Sequence, residues 1–343
     1  MRALLAVAAV LLVACGNTAP VTPVGGGAGG GAFGGGSGGG TEGGGAGGGS
    51  GGGTADAGPG GGTGGDAGVG DGGIVTDPLI IARPYQTVVP SVAVPGYPVP
   101  LVVLLHGYTA TAPEQSWYFQ LNDVALRRGF ILALPNGLVD SVGSHFWNAT
   151  DACCNFFGST VDDVAYLTAV IDDVMKRYTV DPKRVFIVGH SNGAFMAHRM
   201  ACERSEKIAA IVALAGAVWS DASKCTPTSP VSVLQVHGTL DAVILYGGGT
   251  VAMPGAGPYP SASTTMQTWA TKNHCTGSRG DAGVPLDLTS DLLGDETRRE
   301  AYSGCPPGSA AELWTIQGGS HVPVFNNTWS PTFYDWMLAH PKP

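Results

Sequence analysis

From residue 98 onward, short apolar runs alternate with stretches whose apolar residues recur at helical spacing. The runs typical of buried strands are 101–105, 130–134, 185–188, 208–215, 231–236 and 313–316. The helical stretches are 116–128, 162–178, 194–202, 263–273 and 333–339. Strands that are apolar throughout and alternate with helices predict an α/β fold, a mainly parallel sheet with helices on both faces. Ligands of such sheets bind where the carboxyl ends of the strands meet.

The chain before this alternation has a different composition. Residues 25–73 contain 31 of the 55 glycines and almost no large apolar side chain. Such a segment cannot offset the entropy of ordering its backbone, so we predict an unfolded tether at 16–76 and one folded domain at 77–343. The formal net charge of −9, without a cluster of Lys or Arg, argues against nucleic acid as a partner.

The first fifteen residues have the layout of an export signal. Arg2 supplies a positive charge, and an apolar run too short to span a membrane leads to Cys15. The tetrad Leu12-Val13-Ala14-Cys15 resembles the lipobox of bacterial lipoproteins, which implies lipidation of Cys15. We therefore expect an exported protein, anchored by lipid alone at the outer membrane or cell surface. The alternative is an ordinary signal peptide and a secreted product.

The six remaining cysteines indicate disulfides, because their number is even and the compartment is expected to be oxidising. Their spacing favours the pairs Cys202–Cys225 and Cys275–Cys305. The adjacent Cys153 and Cys154 form either a vicinal bridge or two buried thiols. No pair of CxxC or HxxxH spacings occurs, so we expect no metal site.

The loop after the predicted strand 185–188 carries the motif G-x-S-x-G, as Gly189-His190-Ser191-Asn192-Gly193. Between a strand and a helix, this motif makes a turn so tight that side chains at the two glycines would strike neighbouring backbone. The serine at its tip faces the cleft above the positive end of the following helix. Ser191 is therefore the predicted nucleophile.

A serine nucleophile needs a histidine base, which in turn is oriented by a carboxylate. In this class the chain order is Ser, then Asp or Glu, then His. His321 follows the strand 313–316 through a glycine-rich loop, and Asp241 follows the strand 231–236, so both are the predicted partners. Asp221 is the alternative acid. His274 and His340 are expected to be solvated, and Asp287, Asp291 and Asp295 to lie in a surface loop.

Ester attack also needs two N–H donors for the developing oxyanion. We predict the backbone N–H of Asn192 and that of Tyr108 in the loop after strand 101–105, with Thr109 as the next choice for the second. His106 is expected to brace this loop, and His190 and His237 to pack at strand ends. Aromatic candidates for the substrate pocket, which could equally be half-buried packing residues, are Trp117, Trp147, Trp219 and Tyr246.

Several motifs together resemble one family. They include Leu105-His106-Gly107-Tyr108, Trp147-Asn148, Cys153-Cys154, Val161-Asp162-Asp163-Val164, Asp181-Pro182-Lys183-Arg184-Val185, Gly189-His190-Ser191-Asn192-Gly193 and Val236-His237-Gly238-Thr239-Leu240-Asp241. The set is similar to secreted α/β-hydrolase esterases of the polyhydroxybutyrate depolymerase, feruloyl esterase and acetylxylan esterase group. The resemblance implies an α/β-hydrolase fold over the whole folded domain and the triad Ser191, Asp241 and His321. Val322-Pro323-Val324 stands where the family often has a Trp, and the Gly/Pro-rich segment 247–260 is also unusual.

The leading functional hypothesis is an exported serine esterase acting on polymer-linked feruloyl or acetyl esters, or on polyhydroxyalkanoate. It requires neither a metal nor an organic cofactor, and we expect a monomer. The two alternatives are a catalytically silent polysaccharide-binding lipoprotein and a serine peptidase on the same fold.

Overall fold

The computed structural model describes residues 76–343. The predicted signal sequence, the predicted lipidation site Cys15 and the predicted tether up to residue 75 lie outside the described residues. Within the described part, no helix combines the length and the apolar character needed to cross a membrane.

Nine strands form the central sheet of the domain. They are β1 (Gln86–Val88), β2 (Val99–Leu105), β3 (Ile131–Leu134), β6 (Val180–His190), β7 (Ala210–Leu214), β8 (Ser232–Gly238), β11 (Arg279–Asp281), β12 (Thr297–Tyr302) and β13 (Ala311–Ile316). Two small antiparallel ladders pair β4 (Leu138–Val139) with β5 (His145–Phe146) and β9 (Gly249–Thr250) with β10 (Pro258–Tyr259). The order in the central sheet is β1-β3-β2-β6-β7-β8-β13-β12-β11.

Helices cover both faces of this sheet, as predicted. They are α1 (Pro78–Ala82), α2 (Ala112–Tyr118), α3 (Leu121–Arg128), α4 (Asp163–Arg177), α5 (Asn192–Glu203), α6 (Ala262–Lys272) and α7 (Trp329–Leu338), with a short 3₁₀ helix at Ala222–Lys224. Alternate residues of β2 point to opposite faces, so Leu101 and Val103 pack with α1, α4, α5 and α6, and Val102 and Leu104 pack with α2, α3 and α7. The layered α/β-hydrolase architecture predicted from the sequence is confirmed.

The sheet is less uniformly parallel than the sequence suggested. The six central strands from β3 to β13 are parallel, but β1 at one edge and the β12–β11 pair at the other are antiparallel to their neighbours. Strand β12 lies between β13 and the edge strand β11; it reads Thr297-Arg298-Arg299-Glu300-Ala301-Tyr302, and most of its side chains are only partly buried, so charges are tolerated there. It therefore lacks the apolar run by which the inner strands were found.

The single helix predicted at 116–128 is in fact two. Gln120 has a φ of +52°, which interrupts the helical hydrogen bonding between α2 and α3. The first helix also begins earlier than predicted, because the Glu114 carboxylate accepts a hydrogen bond of 2.7 Å from the Thr111 N–H and caps its first turn.

Candidate active site

The nucleophile turn lies between β6 and α5. Ser191 has a φ of +52° and a ψ of −120°, a backbone conformation that side chains rarely adopt. A Cβ at Gly189 would overlap the carbonyl oxygen of Gly193, and a Cβ at Gly193 would overlap that of Leu105 at the end of β2. The turn is therefore packed against the neighbouring strand, and only glycine fits at both positions.

Ser191 is buried and stands at the N-terminus of α5. The first N–H groups of a helix have no partner within the helix and carry partial positive charge. An anion that forms beside Ser191 would be stabilised by this helix end.

Asp241 and His321 meet at the same edge of the sheet. They follow β8 and β13, which are parallel neighbours with Ile316 beside Gly238. His321 Nδ1 lies 2.8 Å from Asp241 Oδ2. The other oxygen of this carboxylate accepts hydrogen bonds of 2.8 Å from the N–H groups of Val243 and Ile244. Three donors thus hold the carboxylate with one oxygen turned toward the imidazole.

The pKa of Asp241 lies well below its usual range. Burial alone would raise this pKa, but hydrogen bonds from His237 and His321, and the charges of these imidazoles when protonated, outweigh the burial. The Asp241 side chain is thus ionised at neutral pH and can balance a positive charge on the neighbouring ring.

His190 connects the nucleophile turn to the histidine loop. Its Nε2 donates a hydrogen bond of 3.0 Å to the carbonyl oxygen of His321, and the two rings are 5.0 Å apart. No hydrogen bond joins the Ser191 hydroxyl to the His321 ring in the described domain. Such bonds are often long in enzymes without substrate and tighten when substrate binds.

The expectation that His190 and His237 serve only as packing residues at strand ends was incomplete. His190 contacts the His321 loop, and His237 Nε2 lies 3.3 Å from Asp241 Oδ2. The spacing of four residues between His237 and Asp241 was the available sequence signal. This spacing alone does not show that the chain after β8 folds back and brings the Asp241 carboxylate to the His237 ring.

The two predicted oxyanion donors are unpaired in the part of the chain that the structure describes. Neither the Tyr108 N–H nor the Asn192 N–H donates a hydrogen bond there, whereas the Thr109 N–H donates to the His145 carbonyl at 2.9 Å. A Cβ on Gly107 would lie 3.5 Å from the Ser191 Cβ, so this loop runs beside the nucleophile. The geometry favours Tyr108 over Thr109 as the second donor.

The hairpin β4–β5 braces this loop. His106 Nε2 accepts a hydrogen bond of 2.9 Å from the Gly137 N–H, and Tyr108 Oη donates one of 2.6 Å to Asp140. Burial lowers the pKa of His106 to about 4 and so keeps Nε2 an acceptor. His106 occupies the bracing position expected for it.

The alternative acid and bases lie elsewhere. Asp221 is exposed and accepts a hydrogen bond of 2.9 Å from the Ser223 N–H at the start of the 3₁₀ helix. His274 is exposed, as expected. His340 is half-buried rather than solvated, because its Nδ1 lies 2.7 Å from the Trp336 carbonyl and its ring packs on that indole.

The four candidate pocket aromatics have different surroundings. Trp147 is fully buried, and its indole N–H donates to the His106 carbonyl at 3.0 Å, so its ring packs inside the protein. Trp117 is 82% exposed and stands at the surface. The Tyr246 hydroxyl bonds Thr315 at 2.9 Å. Trp219, although mostly buried, lines a cavity.

This cavity has a volume of about 390 Å³. Its walls combine two aromatic rings with amide, hydroxyl, carboxylate and guanidinium groups, and Cys153 of the vicinal disulfide borders it. The side chains that supply these groups and rings are Asn148, Thr150, Asp151, Phe156, Arg199 and Trp219. The Phe156 ring lies 5.4 Å from that of Tyr108, so the cavity adjoins the oxyanion loop.

All six cysteines of the described domain are bridged. The structure joins Cys202 to Cys225 and Cys275 to Cys305, the pairs that the spacing favoured, and joins Cys153 to Cys154. Within residues 76–343, no group of three or more His, Cys, Asp or Glu side chains is arranged to hold a metal ion.

Three buried histidines make the folded state sensitive to acid. Burial lowers the pKa of His106 to about 4, of His190 to about 3 and of His198 to about 4. Histidine in an unfolded chain titrates near about 6.5, so below that pH the unfolded chain binds more protons than the folded one. The stability that the three buried rings contribute is therefore fully present above that pH and is lost as the pH falls.

The urea midpoint of unfolding should therefore drop steadily between about pH 7 and about pH 4, with each histidine contributing on the order of 3 kcal/mol. The exposed His274→Ala variant should follow the same curve as the wild type. A midpoint that stays constant over this range would contradict the prediction.

Comparisons with known proteins agree with this architecture. Residues 158–254 match a family described as phospholipase/carboxylesterase. The chain is 29% identical over 228 residues to feruloyl esterase B of Piromyces equi, covering 65% of this chain and 39% of that protein. It is 29% identical over 147 residues to a bifunctional acetylxylan esterase/xylanase of Neocallimastix patriciarum, covering 43% of this chain and 20% of that protein. The chain thus spans well under half of the length of these two relatives.

A solved structure shares the fold. The acetyl xylan esterase from Aspergillus awamori aligns with a TM-score of 0.52 at 17% identity, over 74% of this chain and 93% of that one. This likeness shows that the chain has the α/β-hydrolase fold, and the sequence matches confirm the resemblance to proteins named as feruloyl and acetylxylan esterases.

Proposed function

We propose that this protein is a serine esterase that hydrolyses carboxylic esters through an acyl-enzyme on Ser191. The observation that carries the proposal is the 2.8 Å bond between His321 Nδ1 and Asp241 Oδ2, at the sheet edge where the strained turn presents Ser191. The relatives named as esterases support the same reaction class.

In the proposed cycle, the Ser191 oxygen attacks the ester carbonyl while His321 Nε2 takes its proton. The Asn192 and Tyr108 N–H groups donate to the oxyanion, and the ionised Asp241 balances the charge on the His321 ring. The ring then protonates the leaving alcohol. Water, activated by the same ring, finally releases the acid from Ser191.

The substrate that we propose is a sugar-linked ester, such as a feruloyl or acetyl group on xylan, rather than a polyhydroxyalkanoate chain. The cavity beside the oxyanion loop supports this choice, because aromatic faces combined with convergent hydroxyl, amide and charged groups suit a polyhydroxylated ring. The Asp151 carboxylate and the Thr150 hydroxyl in this wall can pair with sugar hydroxyl groups, which the repeating units of a polyester chain lack.

We further propose that the enzyme is exported as a monomer and anchored through Cys15. The support is the export signal in the sequence together with three disulfides in the folded domain, which persist in oxidising compartments. Labelling with a radioactive fatty acid, lost on Cys15→Ala, would test the anchor.

The substrate is tested by pairing acetylated xylo-oligosaccharides with p-nitrophenyl acetate, which has no sugar. Trp219→Ala should raise KM for the oligosaccharide about tenfold and change kcat/KM for p-nitrophenyl acetate less than about twofold. Trp117→Ala, which removes an exposed indole outside the cavity, is the matched control. Equal losses on both substrates would contradict the sugar site, and wild-type hydrolysis of polyhydroxybutyrate alone would replace it with a polyester.

A further inference from the structure

A chain of buried polar contacts leads from helix α6 to Asp241: three hydrogen bonds connect Trp269 to His237, and the His237 ring lies beside the carboxylate. Trp269 Nε1 lies 2.9 Å from His198 Nδ1, and His198 Nε2 lies 3.0 Å from Gln235 Oε1. Gln235 Nε2 lies 3.3 Å from His237 Nδ1, whose Nε2 lies 3.3 Å from Asp241 Oδ2. Every member of this chain is at most 4% exposed.

The donor and the acceptor of each hydrogen bond in this chain follow from its first member, Trp269. An indole N–H can only donate, so His198 Nδ1 accepts, and the proton of this ring sits on Nε2. Burial lowers the pKa of His198 to about 4, which keeps the ring neutral. His198 therefore donates to Gln235 Oε1, and the Gln235 amide nitrogen faces His237.

Two carbonyl oxygens fix the same direction independently. The Gly216 oxygen lies 2.9 Å from Gln235 Nε2, and the Ile244 oxygen lies 2.7 Å from His237 Nε2. Because carbonyl oxygens only accept, both nitrogens must carry hydrogens. Three anchors thus require the same arrangement, in which the hydrogen on His237 Nε2 bonds the Ile244 oxygen at 2.7 Å and lies beside Asp241 Oδ2, which is 3.3 Å from that nitrogen.

This arrangement makes His237 Nδ1 the acceptor of the Gln235 amide. A proton on that nitrogen would confront the Gln235 NH₂ group, donor against donor. Asp241 therefore lies between the Nε2 atom of His237 at 3.3 Å and the Nδ1 atom of His321 at 2.8 Å.

We propose that Trp269, His198, Gln235 and His237 form a positioning chain that fixes the His237 ring beside Asp241 and thereby holds the carboxylate in place for His321. This inference rests on the proposed role of Asp241. The four residues touch no substrate. They act through the orientation and tautomer of the next residue in the chain.

The tautomers are tested directly on the full-length protein by nitrogen NMR with ¹⁵N-labelled histidine. At about pH 7.5, His198 and His237 should both show a proton on Nε2 and an acceptor at Nδ1. In Trp269→Phe, which lacks the indole N–H, His198 should show a mixture of tautomers. Finding either ring of the wild type charged, or protonated on Nδ1, would overturn the inference without any assay of activity.

The kinetic test uses Gln235→Met, which keeps the side-chain length but removes the amide. We expect kcat for p-nitrophenyl acetate to fall about 10- to 100-fold, with KM within about twofold, because a hydrogen bond to a charged group is weakened. Trp336→Phe is the matched control, since its buried indole donates to Glu312 and not toward Asp241. An unchanged kcat in Gln235→Met would also overturn the inference.

The proposed function and the positioning chain can be refuted independently of each other. If the wild type hydrolyses no ester, the proposed function is wrong, while the tautomers still decide whether the chain is built as described. If the wild type is active but its tautomers differ, only the positioning chain is wrong.

Discussion

Replacing Ser191 by alanine should lower kcat for p-nitrophenyl acetate by about 10⁴-fold or more, because no other group can form the acyl-enzyme. The Ser191 hydroxyl makes no side-chain hydrogen bond in the described domain, and alanine keeps the Cβ. We therefore expect the unfolding midpoint to stay close to that of the wild type, so that the loss reports chemistry alone.

A fluorophosphonate probe gives a second measurement of the same prediction. It should label the wild type once, at Ser191, and should not label Ser191→Ala. Ser278→Ala, which alters an exposed serine at the far edge of the sheet, should be labelled like the wild type. A silent polysaccharide-binding protein would resist the probe, and retained activity in Ser191→Ala would exclude the proposed mechanism. A peptidase would prefer amide to ester substrates.

Replacing Asp241 by asparagine should cost about four orders of magnitude in kcat, as it does in serine hydrolases that use this geometry. The asparagine oxygen would stay with the N–H groups of Val243 and Ile244, because both need an acceptor. Its NH₂ group would then face His321 Nδ1. His321 Nδ1 must then accept this hydrogen bond, so the ring carries its proton on Nε2. With that proton in place, Nε2 can no longer accept the proton of Ser191.

Asp221→Asn is the matched control for this variant. Asp221 was the rival acid in the sequence, but in the structure it caps the 3₁₀ helix and is exposed. Asparagine also caps helices well, so the unfolding midpoint should stay close to that of the wild type and kcat should stay within about twofold. Equal losses in the two aspartate variants would contradict the assignment of Asp241.

The inner sheet and its nucleophile turn could be predicted because their signals are local. Strands buried on both faces must be apolar throughout, and β6 followed by Gly189-His190-Ser191-Asn192-Gly193 permits one kind of turn. The outer strands β1, β11 and β12 gave no such signal, because their side chains are largely exposed or only partly buried and so need not be apolar.

The order of strands in the sheet brings together residues that the sequence leaves far apart. The bond between Asp241 and His321 exists because β8 and β13 are neighbours, although a long segment with α6, β11 and β12 separates them along the chain. The order of residues along the chain also allowed Asp221 as the carboxylate that orients His321. Only the tertiary structure excludes it.

The amino-acid sequence by itself determined the α/β layering, the strained serine turn and the residue types available for catalysis, because these follow from local periodicity and local sterics. The tertiary structure alone decided which carboxylate holds His321, why Tyr108 rather than Thr109 keeps a free N–H, and how Trp269 is linked to Asp241. These are contacts between distant segments, and their partners are chosen by packing across the sheet rather than by neighbours in the chain.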